Sequence, residues 1–206
     1  MKLQAKDVLW MSFGFGAALT AAVAVLVLRG ASERGIILAL GITARIAFLL
    51  FWPAYSASAL VSLFGGAFQP LKKRARELGL AFAAALTVHL GMVGLLCALA
   101  TAPAAGVFRF FGGAAVFAYA LAVFSFEPLR GALGPERWRL LSLVGMNYLA
   151  YAFFVDFTNQ LSFHNLKLLL FYLPFAVMAI AGPSLRLAAF FVRLARDRPE
   201  PNRRET

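Results

Sequence analysis

One histidine stands in the middle of an otherwise apolar stretch. His89 lies eleven residues into the run 78–100, which contains no charged residue. An imidazole in hydrocarbon must be hydrogen-bonded, bound to a metal or surrounded by water. Because neutral imidazole binds iron well, His89 is a candidate axial ligand of haem iron. The alternative is a structural histidine that bonds to a neighbouring helix.

Two ionisable residues and one amide also fall in apolar stretches. Arg45 lies in the run 36–68, and Asp156 lies near the end of the run 139–157. If these runs cross a membrane in alternate directions, both side chains fall in its outer half and are candidates for an ion pair. Arg45 alternatively extends to the interface. Asn147, near mid-depth, is expected to hydrogen-bond to another helix.

Several kinds of catalytic or metal site are excluded by residues that are missing. The chain has no paired carboxylates, Ser-His-Asp order, glycine-rich phosphate loop or HExxH motif. His89 and His164 cannot alone make a four-ligand zinc site, and the single Cys97 cannot form an intramolecular disulfide. We therefore predict no catalytic residues and no self-contained hydrolase.

The composition indicates that most of the chain lies in a membrane. Of its 206 residues, 62% are hydrophobic and 14% are charged, and the mean hydropathy is +0.79. A helix of about 20 apolar residues crosses a bilayer. Six runs are candidates for such helices: 8–28, 36–68, 78–100, 107–126, 139–157 and 166–182. We predict an all-α integral membrane protein, a bundle of six transmembrane helices.

Small residues in the first run predict a close helix contact. Gly14, Ala18 and Ala22 follow one another at four-residue intervals and therefore share one helix face. A stripe of this kind lets two helix backbones approach each other. The first helix should accordingly pack tightly against a neighbour.

The positive charges predict the orientation. Fifteen of the 20 Lys and Arg residues fall on the termini and on loops 2–3 and 4–5, and four fall on the other side. Cytoplasmic loops are enriched in Lys and Arg, so both termini should be cytoplasmic (N-in/C-in), as in a bacterial inner (cytoplasmic) membrane. The net charge of +11 then reflects topology, and we predict membrane lipid and no nucleic acid as a partner.

The predicted domain organisation is simple. Residues 1–196 form one six-helix transmembrane domain, whose sixth helix closes at Gly182-Pro183 and continues as an amphipathic surface stretch at 184–196. Residues 197–206 form a disordered polar tail. No soluble segment reaches 30 residues, so we predict no flavin or nucleotide site within the chain.

Around the third helix the sequence resembles a known family. Basic residues at 72–76 lead into Leu78-Gly79-Leu80, and His89 follows Gly79 by ten residues. This segment is similar to the ferric-reductase-like transmembrane domain family, which includes the haem-binding YedZ/MsrQ proteins. Weaker likenesses extend the resemblance over about residues 40–160. It implies a b-type haem held between the third and fifth helices, with electrons supplied by a flavoprotein or other reductase on the cytoplasmic side.

The chain departs from that family at the other haem ligands. The positions that the resemblance assigns to further histidines are Leu86, Ser142 and Val155. Met146, one helical turn after Ser142, is a candidate thioether ligand opposite His89, and five-coordinate haem on His89 alone is a further option.

Three functional hypotheses follow. The first is a b-type haem electron-transfer subunit, at most the membrane component of an oxidoreductase system. The second is a haem-free scaffold or partner subunit. The third is a small transporter whose path is lined by Arg45, Asn147 and Asp156.

Overall fold

The protein is helical almost throughout. A computed structural model describes residues 4–99, 103–161 and 166–196. About 94% of these residues are helical, and none of them is in a strand. The α-helices are α1 (Ala5–Arg29), α2 (Glu33–Phe64), α3 (Gln69–Lys73), α4 (Ala75–Leu99), α5 (Ala105–Phe124), α6 (Glu127–Leu133), α7 (Pro135–Asn159) and α8 (Leu166–Arg196). His164 and the predicted tail at 197–206 lie outside the described residues.

Six helical segments are long and apolar enough to cross a membrane. They are α1, α2 together with α3, α4, α5, α7 and most of α8. The prediction of an all-α chain with six such helices is confirmed. The helices begin up to four residues before the apolar runs that predict them, because polar residues extend their first turns.

Consecutive long helices run in opposite directions. The start of α1 therefore lies beside the start of α4 and the end of α5, where Arg76 contacts both Asp7 and the Ser125 carbonyl. We call this end of the bundle the basic end. The half that contains the end of α4 and the starts of α2, α5 and α8 is called the distal half.

Helix α8 differs from the predicted sixth helix. It runs unbroken from Leu166 to Arg196 through Pro174 and Pro183, so the predicted end at Gly182-Pro183 is wrong. A proline removes one hydrogen bond from the helix ladder, but in apolar surroundings the other backbone groups have no better partner than the helix itself. The stretch 184–196 is therefore a direct continuation of α8.

Helices α2 and α8 approach each other closely near Gly182. Trp52 Nε1 donates a 2.6 Å hydrogen bond to the Met178 carbonyl. A Cβ atom on Gly182 would lie only 3.2 Å from that indole nitrogen and from the Tyr55 ring. Gly182 therefore serves to bring α8 against α2, and not to end the helix.

The small-residue stripe of α1 faces the bundle, as predicted. Gly14, Ala18 and Ala22 are all buried. A Cβ atom at Gly14 would overlap the backbone carbonyl of Ala81 on α4. The two backbones are therefore in direct contact, and only glycine fits at this position.

Ion pairs join α1 to α4 at the basic end. Arg76 holds the fully buried Asp7 through two hydrogen bonds, of 2.7 and 3.2 Å. Its Nε donates to the Ser125 carbonyl at 3.2 Å, which adds the end of α5 to the same cluster. Lys6 pairs with Glu77 at 3.2 Å. Each nitrogen of the Arg76 guanidinium thus has an acceptor.

Aromatic rings fill the centre of the bundle between α2, α4 and α7. Phe51 packs against Phe82 and Phe153, with ring centroids 5.3 and 5.4 Å apart. Phe48 packs against Phe153 and Phe157 at 5.0 and 4.9 Å. We call these five contiguous rings the aromatic layer.

Candidate functional site

A cavity of about 390 Å³ lies in the distal half, between α2, α4, α5, α7 and α8. Its size is within the range typical of small-molecule sites. Most of its wall is apolar, formed by residues such as Leu86, Val93, Phe111 and Phe157. The polar side chains that line it are Arg45, His89, Asp156, Gln160 and Tyr172. Three of these five are residues that the sequence singles out.

His89 is fixed by a partner on α2. Its Nδ1 lies 3.0 Å from the hydroxyl of Thr43, a fully buried residue. The Thr43 hydroxyl lies 2.9 and 3.0 Å from the Ala39 and Leu40 carbonyl oxygens.

These contacts favour one tautomer of His89. A Thr43 hydroxyl that donates its single hydrogen to the Ala39 or Leu40 carbonyl accepts from the ring, and Nδ1 then carries the proton. Nε2 then has a free lone pair, and no described residue bonds to it. Histidine ligands of metals commonly show this pattern, with one nitrogen donating to the protein and the other bound to the metal.

Arg45 is buried in the wall of the same cavity and only 6% exposed. Its Nη1 donates to the Gly41 carbonyl at 2.6 Å, one helical turn earlier. Its guanidinium carbon lies 3.9 Å from the Phe171 ring centre and 4.3 Å from that of Tyr172, both on α8. Nε and Nη2 are buried and have no hydrogen-bond partner in the described part of the chain.

The candidate pair of Arg45 and Asp156 is brought to one cavity but not into contact. The salt bridges between described residues are Lys6–Glu77 and Arg76–Asp7, and Asp156 is within electrostatic range of Arg45 but beyond salt-bridge distance. The reason is the position of the guanidinium, which lies over the rings of α8 and is held by Gly41.

Met146 lies at a different site. It lines a second cavity of about 360 Å³ at the basic end, together with Arg76, Arg130 and Ser142. Phe82 and Leu149 line both cavities and so form part of the partition between them. His89 and Met146 therefore do not face each other across one space.

The side chains that could bind iron decide which mode of haem binding fits this site. A single axial bond from His89 Nε2 fits, because this nitrogen has no hydrogen-bond partner among the described residues and belongs to a residue that lines a cavity. The described structure does not bring His89 and Met146 together as a ligand pair, since the two residues line different cavities. No group of three or more His, Cys, Asp or Glu residues within the described ranges could hold a metal ion instead.

Asn147 takes part in a contact between helices. Its Oδ1 accepts a 2.8 Å hydrogen bond from Tyr55 on α2, and its Nδ2 donates to the Leu143 carbonyl. The predicted interhelical bond is confirmed. Asn147 does not line the distal cavity, which removes one of the three residues of the transporter hypothesis.

Thr43, Gln160 and Tyr172 are site residues that the sequence analysis misses. A threonine in an apolar helix ordinarily bonds back to its own helix, as Thr87 also does to Ala83. Nothing in the residue type therefore marks Thr43 as the partner of a histidine 46 positions away.

Comparison with known proteins adds no relative. No family model matches the chain, and no match is found among curated proteins or among solved structures. The resemblance to the ferric-reductase-like family thus rests on the residues of this sequence alone.

Proposed function

We propose that this chain is an integral membrane protein that binds one b-type haem through Nε2 of His89 in the distal cavity. In this proposal it is the membrane electron-transfer subunit of a system whose reductase is a separate protein. It lies in a bacterial inner membrane with both termini in the cytoplasm. This topology is supported by the excess of Lys and Arg at the basic end.

The observation that carries the proposal is the environment of His89. Thr43 contacts Nδ1, and within the described residues Nε2 has no hydrogen-bond partner. The residue lines a cavity of about 390 Å³. A structural histidine would be expected to use both nitrogens or to lie in solid packing. An imidazole oriented through one nitrogen beside an apolar cavity is suited to bind an apolar ligand that carries a metal.

The protein's own groups have distinct tasks in this proposal. When bound, haem supplies a one-electron redox centre. Thr43 fixes the imidazole orientation and keeps the proton on Nδ1, so that Nε2 is available for the iron. Phe82 and Phe153 of the aromatic layer line the cavity and would keep water from the face of the haem that they contact.

The partner follows from charge. Lys and Arg residues are concentrated on the segments that meet at the basic end, and the formal net charge of the chain is +11. A surface of this sign attracts an acidic protein over several ångströms, in a manner that weakens with salt. We therefore propose an acidic flavoprotein or other reductase as the cytoplasmic electron donor.

The decisive experiment is a visible spectrum of the purified protein, oxidised and then reduced with dithionite, before and after haemin is supplied. We expect a Soret band and reduced α and β bands in the wild type. His89→Ala should lose them, because no second axial ligand replaces the imidazole. His89→Gln is a second variant, and the tryptophan fluorescence of each variant reports whether it is folded.

A folded wild-type protein that stays colourless after haemin is supplied would contradict the proposal. So would a folded His89→Ala variant with an unchanged spectrum. In either case the alternative is a haem-free scaffold or partner subunit of the same fold. Arg45 and Asp156, which share the distal cavity, would then be the remaining support for a transporter.

A further inference from the structure

The buried guanidinium of Arg45 lacks an acceptor on one edge. Arginine has five N–H donors and cannot lose its charge in a protein. One donor reaches the Gly41 carbonyl, whereas Nε and Nη2 are buried without a hydrogen-bond partner among the described residues. Leaving such groups unpaired away from water is costly, so an acceptor is expected at this edge.

We propose that the distal cavity binds a carboxylate through Nε and Nη2 of Arg45. These two nitrogens lie on the same edge of the guanidinium, and their N–H bonds point in parallel. A carboxylate accepts two parallel N–H bonds in the planar fork that arginine presents. The ligand class is therefore an apolar molecule that ends in a carboxylate.

The described neighbours of Arg45 supply no acceptor to this edge. Phe171, Tyr172 and Phe175 lie around the guanidinium, with ring centres 3.9 to 5.3 Å from its carbon. Their faces attract the positive charge, but the ring atoms themselves include no oxygen or nitrogen that could accept the Nε and Nη2 hydrogens. Asp156 lines the cavity but lies beyond salt-bridge distance of Arg45.

The rest of the cavity favours an apolar body. Small residues of α5, Gly112, Ala114 and Ala115, line one wall, and Phe108 and Phe111 line the wall nearby. The carboxylate of such a ligand belongs either to a haem propionate or to a free long-chain fatty acid. The inference shares its cavity with the proposed haem site, but it does not require His89 to bind iron.

The test compares ligands with and without the carboxylate, on the full chain in lipid nanodiscs. Soret titration gives the dissociation constants of haemin and of haemin dimethyl ester, and binding of radiolabelled palmitate is measured separately. For the wild type we expect the ester to bind about tenfold or more weakly than haemin, because it loses charge-assisted hydrogen bonds. In Arg45→Gln the difference between acid and ester should disappear.

Two further variants complete the test. Arg109→Gln removes an exposed arginine on α5 that does not line the cavity, and it should leave every affinity unchanged. Asp156→Asn removes an acidic group that would repel a bound carboxylate, and it should strengthen carboxylate binding severalfold. Weaker binding of both haemin and palmitate in this variant would contradict the proposal.

The outcomes separate this inference from the proposed function. Equal binding of haemin and its ester, both lost in His89→Ala, would overturn the carboxylate site and leave the haem site standing. If haemin does not bind but palmitate binds in a manner that requires Arg45, the haem site is overturned and the carboxylate site stands. An equal loss in Arg45→Gln and Arg109→Gln would overturn the carboxylate site, and no binding of any probe would overturn both.

Discussion

Arg76 at the basic end and Arg45 in the distal half are both packed within the helix bundle, but they differ in how many of their N–H donors have acceptors. Arg76 donates through Nε, Nη1 and Nη2 to Asp7 and to the Ser125 carbonyl. Arg45 is more deeply buried, yet of its nitrogens only Nη1 has an acceptor in the described ranges. A complete set of partners is what a structural arginine requires. The incomplete set at Arg45 therefore points to a group that the described part of the chain does not supply.

The largest effect should come from breaking the complete pair. Asp7→Ala leaves Arg76 without its carboxylate, and removal of one partner from a buried pair costs about 3–5 kcal/mol. Because the Arg76 side chain is 33% exposed and water can reach it, we expect the free energy of unfolding to fall by about 3 kcal/mol. Unfolding in mixed micelles, followed by tryptophan fluorescence, measures this change.

Glu127→Ala is the matched control for Asp7→Ala. Glu127 is an exposed carboxylate on α6 at the same end of the bundle, and its loss should change the free energy of unfolding by less than about 0.5 kcal/mol. Equal losses in the two variants would show that the α1–α4 ion pair adds nothing specific to stability.

The second effect concerns the orientation of His89. Thr43→Val removes the hydroxyl that accepts from Nδ1 and keeps the branched shape of the side chain. Loss of a group that orients a histidine ligand typically lowers metal affinity about 10–100-fold. We expect a haemin affinity lower by about this factor, measured by Soret titration.

Thr87→Val controls for the loss of a hydroxyl from an apolar helix. Thr87 also bonds back to the carbonyl four residues earlier, but its other contact is Tyr119 on α5. Its replacement should leave haemin affinity unchanged. Equal losses in the two variants would mean that Thr43 acts through helix stability and not through His89.

The third effect contrasts the two arginines directly. Arg45→Met removes a buried charge with an unpaired edge, so the lost aromatic contacts are offset by relief of the burial cost. Without added ligand, we expect its free energy of unfolding to change by less than about 1 kcal/mol. Arg76→Met leaves the fully buried Asp7 without its partner and should lower the free energy of unfolding by about 3 kcal/mol. Similar losses in both variants would identify Arg45 as a structural residue.

The difference between the two regions also shows what the sequence can predict. The six long helices follow from apolar runs, and the buried face of α1 follows from Gly14, Ala18 and Ala22, because both patterns are local. The predicted end of the sixth helix is wrong. Pro183 is a local signal for a helix end, and the packing of α8 against Trp52 overrides it.

The site is predictable only in part, because it is made by contacts between distant segments. A polar residue in an apolar run is visible in the sequence, so His89, Arg45 and Asp156 could be selected, and all three line one cavity. Their partners are not visible. Thr43 becomes the partner of His89 only through the way α2 is rotated relative to α4. Likewise, only the positions of Phe82 and Leu149 show that Met146 and His89 line different cavities.

The smallest expected effect is at Met146. Because its thioether lines the basic-end cavity while His89 lines the distal cavity, Met146→Leu should leave the visible spectrum and the haemin affinity unchanged. Met178→Leu, a half-buried methionine of α8 that lines neither cavity, is the matched control for stability. A change in the reduced α band in Met146→Leu alone would show that the two residues bind one iron after all. The partition formed by Phe82 and Leu149 would then have to open on ligand binding, and the two cavities would act as one site.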